Sequence, residues 1–319
     1  MNILKSLMHP LPEYVFRPSQ IWLRLIREFN QRVHTYEDLT LPWGLAIRVR
    51  PAEAIGSCIW RLGIHDLCTS ETIARLIDPG DLAVDVGANI GYMSSIMARR
   101  VGPQGRVIAF EPHPDIYNEL EFNVGHWKDK SGIGSIVLYN MALSNQAGEG
   151  VLGIPAEFDI NRGLAQLVLN SDTANTLLVN LGCLDEIMEN EKIGLLKLDV
   201  EGYEENVLRG AERLLKHRLI RDIVFESYKC YPTPVTQLLE EHGYHIFELD
   251  FKLLGLTVRP AGSSHNQVRR SVDVPNYLAT IDPARALVRL RKTGWIVLNT
   301  SLLGKIKVSM DSRKSTEGI

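Results

Sequence analysis

The run Leu82-Ala83-Val84-Asp85-Val86-Gly87-Ala88-Asn89-Ile90-Gly91-Tyr92 decides the fold. It is an apolar strand that carries a carboxylate and passes into a glycine turn opening a helix, and strand ends of this kind bind ligands in open α/β sheets. Gly87 permits a tight turn and close backbone approach, and Gly91 lets the helix begin without a Cβ clash. A nucleotide diphosphate calls for G-x-G-x-x-G, so that backbone N–H groups meet the pyrophosphate. Here the middle glycine is absent and the run reads G-A-N-I-G.

One β-α unit downstream, Val107-Ile108-Ala109-Phe110 runs into Glu111-Pro112. A carboxylate at the end of a second strand can accept both ribose hydroxyl protons of an adenosine cofactor. Alone this fits a nicotinamide dinucleotide as well. Asp85 paired with Glu111 tilts the choice, since two carboxylates suit a cationic sulfonium and amino acid and would repel a pyrophosphate. Asp85 is expected beside a cationic amino group, and His113 near the adenosine. Glycine turns also follow strands that bind nothing, but Asp85, Gly87, Gly91 and Glu111 within one β-α-β unit favour an adenosyl cofactor.

Around this unit, strands alternate with helices: a helix over 91–101, a strand over 105–110, a helix over 114–124 and a strand over 135–140. The alternation resumes with helices at 184–191, 204–215 and 235–242 and strands at 194–200, 223–226 and 244–249. This is the grammar of a parallel sheet with helices on both faces. Residues 145–182 break the rhythm and read as an insertion, a cap or substrate loop. The expected division is a helical and β extension over 1–75, a cofactor-binding domain over 76–260, and an extension over 261–319 with a frayed tail. The segment after about 265 is placed outside the core.

Composition narrows the function. A formal net charge of -3 provides no basic field to attract nucleic acid or an anionic membrane surface. No apolar run approaches the roughly 20 residues that span a bilayer. The four cysteines form no C-x-x-C pair and no signal peptide is evident, so a reduced cytoplasmic protein is expected. Ile21, Trp22, Leu25, Ile26 and Phe29 alternate with Arg24, Arg27 and Glu28, a stripe expected to pack in the core or in a dimer rather than on a membrane. The run 295–298 also suits a symmetric interface, so a homo-oligomer is open.

The chain resembles the FkbM family of S-adenosylmethionine-dependent methyltransferases. The matching segments are D-V-G-A-N-I-G-Y (85–92), V-I-A-F-E-P-H-P (107–114), N-M-A-L-S-N (140–145), N-R-G (161–163), C-L-D-E (183–186) and L-L-K-L-D-V-E-G-Y-E (195–204). They span about residues 60–250. The resemblance implies a class I methyltransferase fold, a Rossmann-like α/β sheet of seven strands with the last antiparallel. It also implies, usually, O-methylation of a hydroxyl on a sugar, polyketide or other small metabolite. By position, Asp85, Gly87, Asn89, Gly91 and Tyr92 correspond to the first cofactor loop, and Glu111 with Pro112 to the ribose site. Ala142 and Ser144 correspond to the adenine contact, and Glu71 to an acidic position near the methionine moiety.

Methyl transfer needs in-line approach of a nucleophile and sometimes a base. Period-2 alternation places Lys197, Asp199 and Glu201 on one face at a strand end beside the first strand. Asp199 is the first candidate to bind cofactor and to position or deprotonate an acceptor hydroxyl, and Glu201 the second. The plainer reading has Glu201 capping the next helix and Lys197 paired with a carboxylate. Glu226, Asn161, Arg162 and Phe158 are candidates for the acceptor pocket. Asp199, Glu201 and Glu226 could together hold Mg²⁺, but substrate binding without metal is the more ordinary use. No histidine pattern indicates zinc, and Arg269-Arg270 reads as solvated surface. An NAD-linked oxidoreductase would want the third glycine and a Tyr-x-x-x-Lys or His hydride site. An inactive cofactor-binding domain is the third reading.

Overall fold

The computed structural model describes residues 11–29, 35–168, 175–263 and 275–299. A hairpin of β1 (Glu37–Thr40) and β2 (Ala46–Val49) precedes the main sheet. That sheet begins with β3 (Leu82–Val86), β4 (Arg106–Phe110) and β5 (Ser135–Tyr139). A second sheet holds β6 (Ala142–Leu143), β7 (Gly148–Gly153), β8 (Gln166–Val168) and β9 (Thr176–Gly182). The main sheet resumes with β10 (Ile193–Leu198), β11 (Ile220–Glu226), β12 (His245–Lys252), β13 (Gly255–Pro260) and β14 (Asn276–Thr280).

The order is β13-β12-β14-β11-β10-β3-β4-β5. Strands β11, β10, β3, β4 and β5 run parallel, whereas β14 is antiparallel to both of its neighbours. Alternation of side chains along each strand splits the core into two layers. Ala83, Val107, Leu195 and Val224 pack beneath the helices Leu67–Leu76, Tyr92–Val101 and Pro114–Gly125. Val84, Ile108, Leu196 and Phe225 face Leu184, Val207, Leu214 and Leu239 of the opposite helices. Burial on both faces explains why these strands are continuously apolar. Each fully buried Leu or Ile contributes about 1.5–3 kcal/mol.

Four expectations change. The sheet has eight strands, because β13 adds a hairpin at one edge. The segment after 265 is not outside the core: β14 fills the slot between β11 and β12. Within 145–182, β7, β8 and β9 are strands of the second sheet instead of a loop, with Leu152 and Val179 packed on Ala142. The helix expected over 204–215 is two short helices, Glu204–Arg209 and Glu212–Lys216. They break at Gly210, where a Cβ would lie 2.0 Å from the Ser144 carbonyl oxygen.

Trp295, Val297 and Leu298 are buried in this chain's own core, which removes them from any interface. In the helix Ser19–Phe29, by contrast, Ile21, Trp22 and Leu25 are exposed. The side chains of Ile26 and Phe29, Arg269-Arg270 and the expected frayed tail lie outside the described residues. Among the described residues, no helix is long and apolar enough to cross a membrane.

At the sheet rim away from the site, Asp222 is fully buried and accepts from Thr280 Oγ1 at 2.7 Å, Arg285 Nη1 at 2.9 Å and Arg221 Nε at 3.0 Å. This network ties the helix Pro283–Leu290 to the strands. At the other rim β3, β4, β10 and β11 end together.

Candidate active site

After β3 the chain turns through Gly87 at φ +74°, and a Cβ there would lie 1.9 Å from the Asp199 carbonyl oxygen. Left-handed backbone and crossing of a neighbouring chain both require glycine. The Gly87 and Ala88 N–H groups donate to the Phe110 carbonyl at 3.0 and 2.9 Å, pinning the turn to the end of β4. Gly91 takes φ +89°, where a Cβ would meet Leu120 at 2.7 Å. Asn89 donates its N–H to Glu111 Oε2 at 2.9 Å.

Glu111 is buried, and its other oxygen accepts the His113 N–H at 3.0 Å. Burial pushes this carboxyl up to about 7 against the pull of the two donors. A carboxylate offers about four acceptor positions, so about two remain for a ligand.

The turn stands between two lobes of one cleft. The larger, of about 700 Å³, has apolar walls from Phe110, Ile116, Met141, Leu143, Leu152 and Leu167, with Glu111 among its polar lining. The smaller, of about 520 Å³, is lined by polar groups of His65, Asp66, Thr69, Glu226 and Asn276. Gly87, Asn89 and Asp199 line both.

Charge in the cleft is organised by Lys197. Its ammonium is 2.9 Å from the Gly87 carbonyl oxygen, 3.2 Å from Asp85 Oδ1 and 3.3 Å from Asp199 Oδ2. Burial acts to lower its pKa, but Asp85 and Asp199 prevail and hold it above the ordinary lysine value. Asp85 is fully buried, and its other oxygen accepts from Ser94 Oγ at 2.6 Å. Burial, with Asp199 and Asp66 nearby, pushes Glu226 up to about 9. Burial also raises Glu201, whose Oε2 accepts from Tyr228 Oη at 2.5 Å. His65 is lowered by burial.

A family model described as the methyltransferase FkbM domain matches residues 85–246. The chain belongs to the FkbM methyltransferase family. The 31-O-demethyl-FK506 methyltransferase FkbM of Streptomyces tacrolimicus is 32% identical over 240 residues, covering 66% of this chain and 89% of that protein. The hexuronic acid methyltransferase AglP of Haloferax volcanii is 28% identical over 191 residues, 57% of this chain and 72% of its own. A crystal structure of a methyltransferase FkbM from Methylobacillus flagellatus KT aligns over 66% of this chain and 50% of its own, with a TM-score of 0.38 and 16% identity. Membership sets aside the nicotinamide oxidoreductase.

Within this FkbM fold, Gly87, Asn89, Glu111, Pro112, Ala142, Arg162, Asp199 and Glu201 gather on the larger lobe, and Tyr92, Lys197 and Glu226 on the smaller. Other candidates fall elsewhere. Glu71 is fully buried, 2.5 Å from Arg75, and accepts from the Ile296 and Val297 N–H groups, so it locks the C-terminal segment and does not line the cleft. The cation beside Asp85 is Lys197, and neither Asp85 nor Gly91 lines a lobe. Ser144 lies behind Ala142, bonded to Asn145 and Tyr203. Asn161 caps the turn Arg162–Leu164 through the Gly163 N–H, and Phe158 stacks on His113 with centroids 4.7 Å apart. Arg162 is held at 2.7 Å by Glu119.

The alternation expected through Glu201 ends at Leu198, since Glu201 adopts φ +53° in a turn. Glu201 does not cap the next helix, whose N-cap is Tyr203. Lys197 is an ion-pair partner held as an ammonium, which has no lone pair to accept a proton. Among the described residues, no group of three or more His, Cys, Asp or Glu is arranged to hold a metal.

Sequence reasoning missed His65, Asp66, Thr69 and Asn276. Asp66 was readable as a helix cap, for it accepts the Thr69 N–H at 3.1 Å. Nothing local marks Asn276.

Proposed function

We propose that this protein transfers a methyl group from S-adenosylmethionine to a hydroxyl of a small metabolite or sugar. The observation that carries the reading is the junction at Asp199, where the lobe that holds the buried Glu111 carboxylate meets a lobe whose lining includes His65, Thr69, Glu226 and Asn276.

The larger lobe fits the cofactor. Glu111 retains acceptor positions for two ribose hydroxyls, and Phe110, Ile116 and Met141 offer apolar faces to an adenine. Gly87 and Asn89 carry the methionine portion toward Asp199. Bound there, S-adenosylmethionine supplies an electrophilic methyl carbon on a sulfonium. The chain's residues then have to bind and orient the acceptor. Asp199, engaged on one side by Lys197 and half-exposed, accepts a hydrogen bond from a second polar group of the acceptor and so orients it. Thr69, Asn276 and Glu226 supply further partners for a polar molecule. The 31-O-demethyl-FK506 methyltransferase supports oxygen as the methylated atom, and the hexuronic acid methyltransferase supports a sugar-like acceptor.

The test is calorimetric titration with S-adenosylhomocysteine, with NADH as control and Glu111→Ala as the specificity check. It is followed by incubation with S-adenosylmethionine and a panel of hydroxylated sugars and metabolites read by mass spectrometry. Saturable binding that weakens in a folded Glu111→Ala variant, and a product heavier by one CH₂, are expected. Absence of binding overturns the reading. Binding without any methylated product would leave an inactive cofactor-binding domain.

A further inference from the structure

We propose that His65 is the general base that takes the proton from the acceptor hydroxyl, an assignment that rests on the methyltransferase reading of the same cleft. His65 lines the smaller lobe, as Asp199 does, and no described residue hydrogen-bonds to either ring nitrogen. Its backbone is fixed independently of the ring. The His65 N–H donates to Tyr92 Oη at 3.1 Å, and its carbonyl accepts from Ser70 Oγ at 2.8 Å. The imidazole lies edge-on to Tyr92, with centroids 6.0 Å apart.

The other titratable groups of the lobe are engaged. Lys197 donates to the Gly87 carbonyl and is ion-paired with Asp85 and Asp199. Asp199 is the partner of that ammonium, and Asp66 caps the helix Leu67–Leu76. Glu226, raised to about 9, is protonated at neutral pH. The Tyr92 hydroxyl receives the His65 N–H, and burial raises it above the ordinary tyrosine value.

His65 is faced by Asp66 on its own segment, by Lys197 and Asp199 from β10, by Glu53 at the start of the helix Ala54–Leu62, and by Glu226 at the end of β11. Burial outweighs the acids and keeps the ring neutral at pH 7, the state in which a nitrogen lone pair can accept a proton. As the acceptor O–H bond breaks, its proton goes to the ring nitrogen and its oxygen bonds to the transferred methyl carbon. The carbon–sulfur electron pair returns to sulfur, and the imidazolium releases its proton to water.

The experiment compares wild type with His65→Gln and His65→Ala, using an acceptor that the wild type methylates. General base catalysis predicts a fall in kcat of about 100-fold or more in both variants. S-adenosylhomocysteine affinity stays unchanged and the acidic limb of the pH–rate profile disappears. Added imidazole restores part of the His65→Ala rate. Independently of turnover, a proton NMR titration of the cofactor-bound protein, assigned by the signal missing in His65→Gln, shows a neutral ring at pH 7. A variant that keeps wild-type kcat and the acidic limb, or a ring protonated at pH 7, overturns the proposal. If wild type binds no S-adenosylhomocysteine, the methyltransferase reading fails instead.

Discussion

The two lobes of the cleft are built differently. The larger takes Gly87, Asn89, Glu111, Met141, Ala142 and Asp199 from inside the stretch 85–246 that matches the family model. Successive β-α units deliver them to one rim of a parallel sheet. The smaller lobe draws His65, Asp66 and Thr69 from before that stretch and Asn276 from after it. These meet only in the folded chain, where Thr69 Oγ1 donates to Asn276 Oδ1 at 3.2 Å. The larger lobe lies almost wholly in one continuous segment, whereas the smaller adds His65, Asp66, Thr69 and Asn276 from the flanks to Lys197, Asp199 and Glu226 from within it, so these four residues can vary apart from the larger lobe.

That separation can be broken most severely at Gly87, which both lobes share. Gly87→Ala places a Cβ against the Asp199 carbonyl at a left-handed φ. We expect a loss of about 3 kcal/mol in denaturant unfolding together with weak S-adenosylhomocysteine binding. Full retention of both would show that the turn is not the hinge of the cleft. Glu111→Ala should act on one lobe alone, lowering S-adenosylhomocysteine affinity by about 1.5–3 kcal/mol while the acceptor KM holds.

Titration separates the lobes in another way. Glu111 and Glu226 are raised in the folded state, to about 7 and about 9, from an ordinary 4.5. Their contribution to stability is therefore complete below pH 4.5 and is lost as pH rises through each folded value. Both losses begin at the unfolded 4.5; that of Glu111 levels off near pH 7 and that of Glu226 near pH 9, each about 1–2 kcal/mol in the unliganded protein, allowing for partial solvation of Glu226. Glu111→Gln should therefore flatten the decline only up to about pH 7 and Glu226→Gln the decline up to about pH 9, as read from unfolding midpoints between pH 5 and 10. The smallest effect is expected from Asn276→Ala, about 1 kcal/mol on acceptor KM with cofactor affinity intact. A weaker cofactor with an unchanged KM would place Asn276 in the wrong lobe.

Legibility followed the same division. The strands β3, β4, β10 and β11 announce themselves because both faces are buried, and Gly87, Asn89 and Glu111 follow from one turn. The place of β14 is not legible because five residues following the long stretch after β13 carry no sign of which gap they fill. The Asp85–Lys197 pair is not legible because the reach of Lys197 is a tertiary fact. Glu71 had a warning in plain view: Arg75 stands four residues on, the spacing of a helical ion pair. The broken helix at Gly210 reflects the neighbouring Ser144 carbonyl, which propensity does not register.

Because β14 is inserted between β11 and β12, the sheet is finished out of chain order. During synthesis, the segment that makes most of the larger lobe emerges before the strand that completes the smaller one. Until residue 280 is available, β11 and β12 present inner edges with unpaired backbone groups, and the smaller lobe lacks Asn276. Trimming the protein at 260, or to its family-matched segment, would therefore leave an adhesive, half-walled fragment instead of a minimal enzyme.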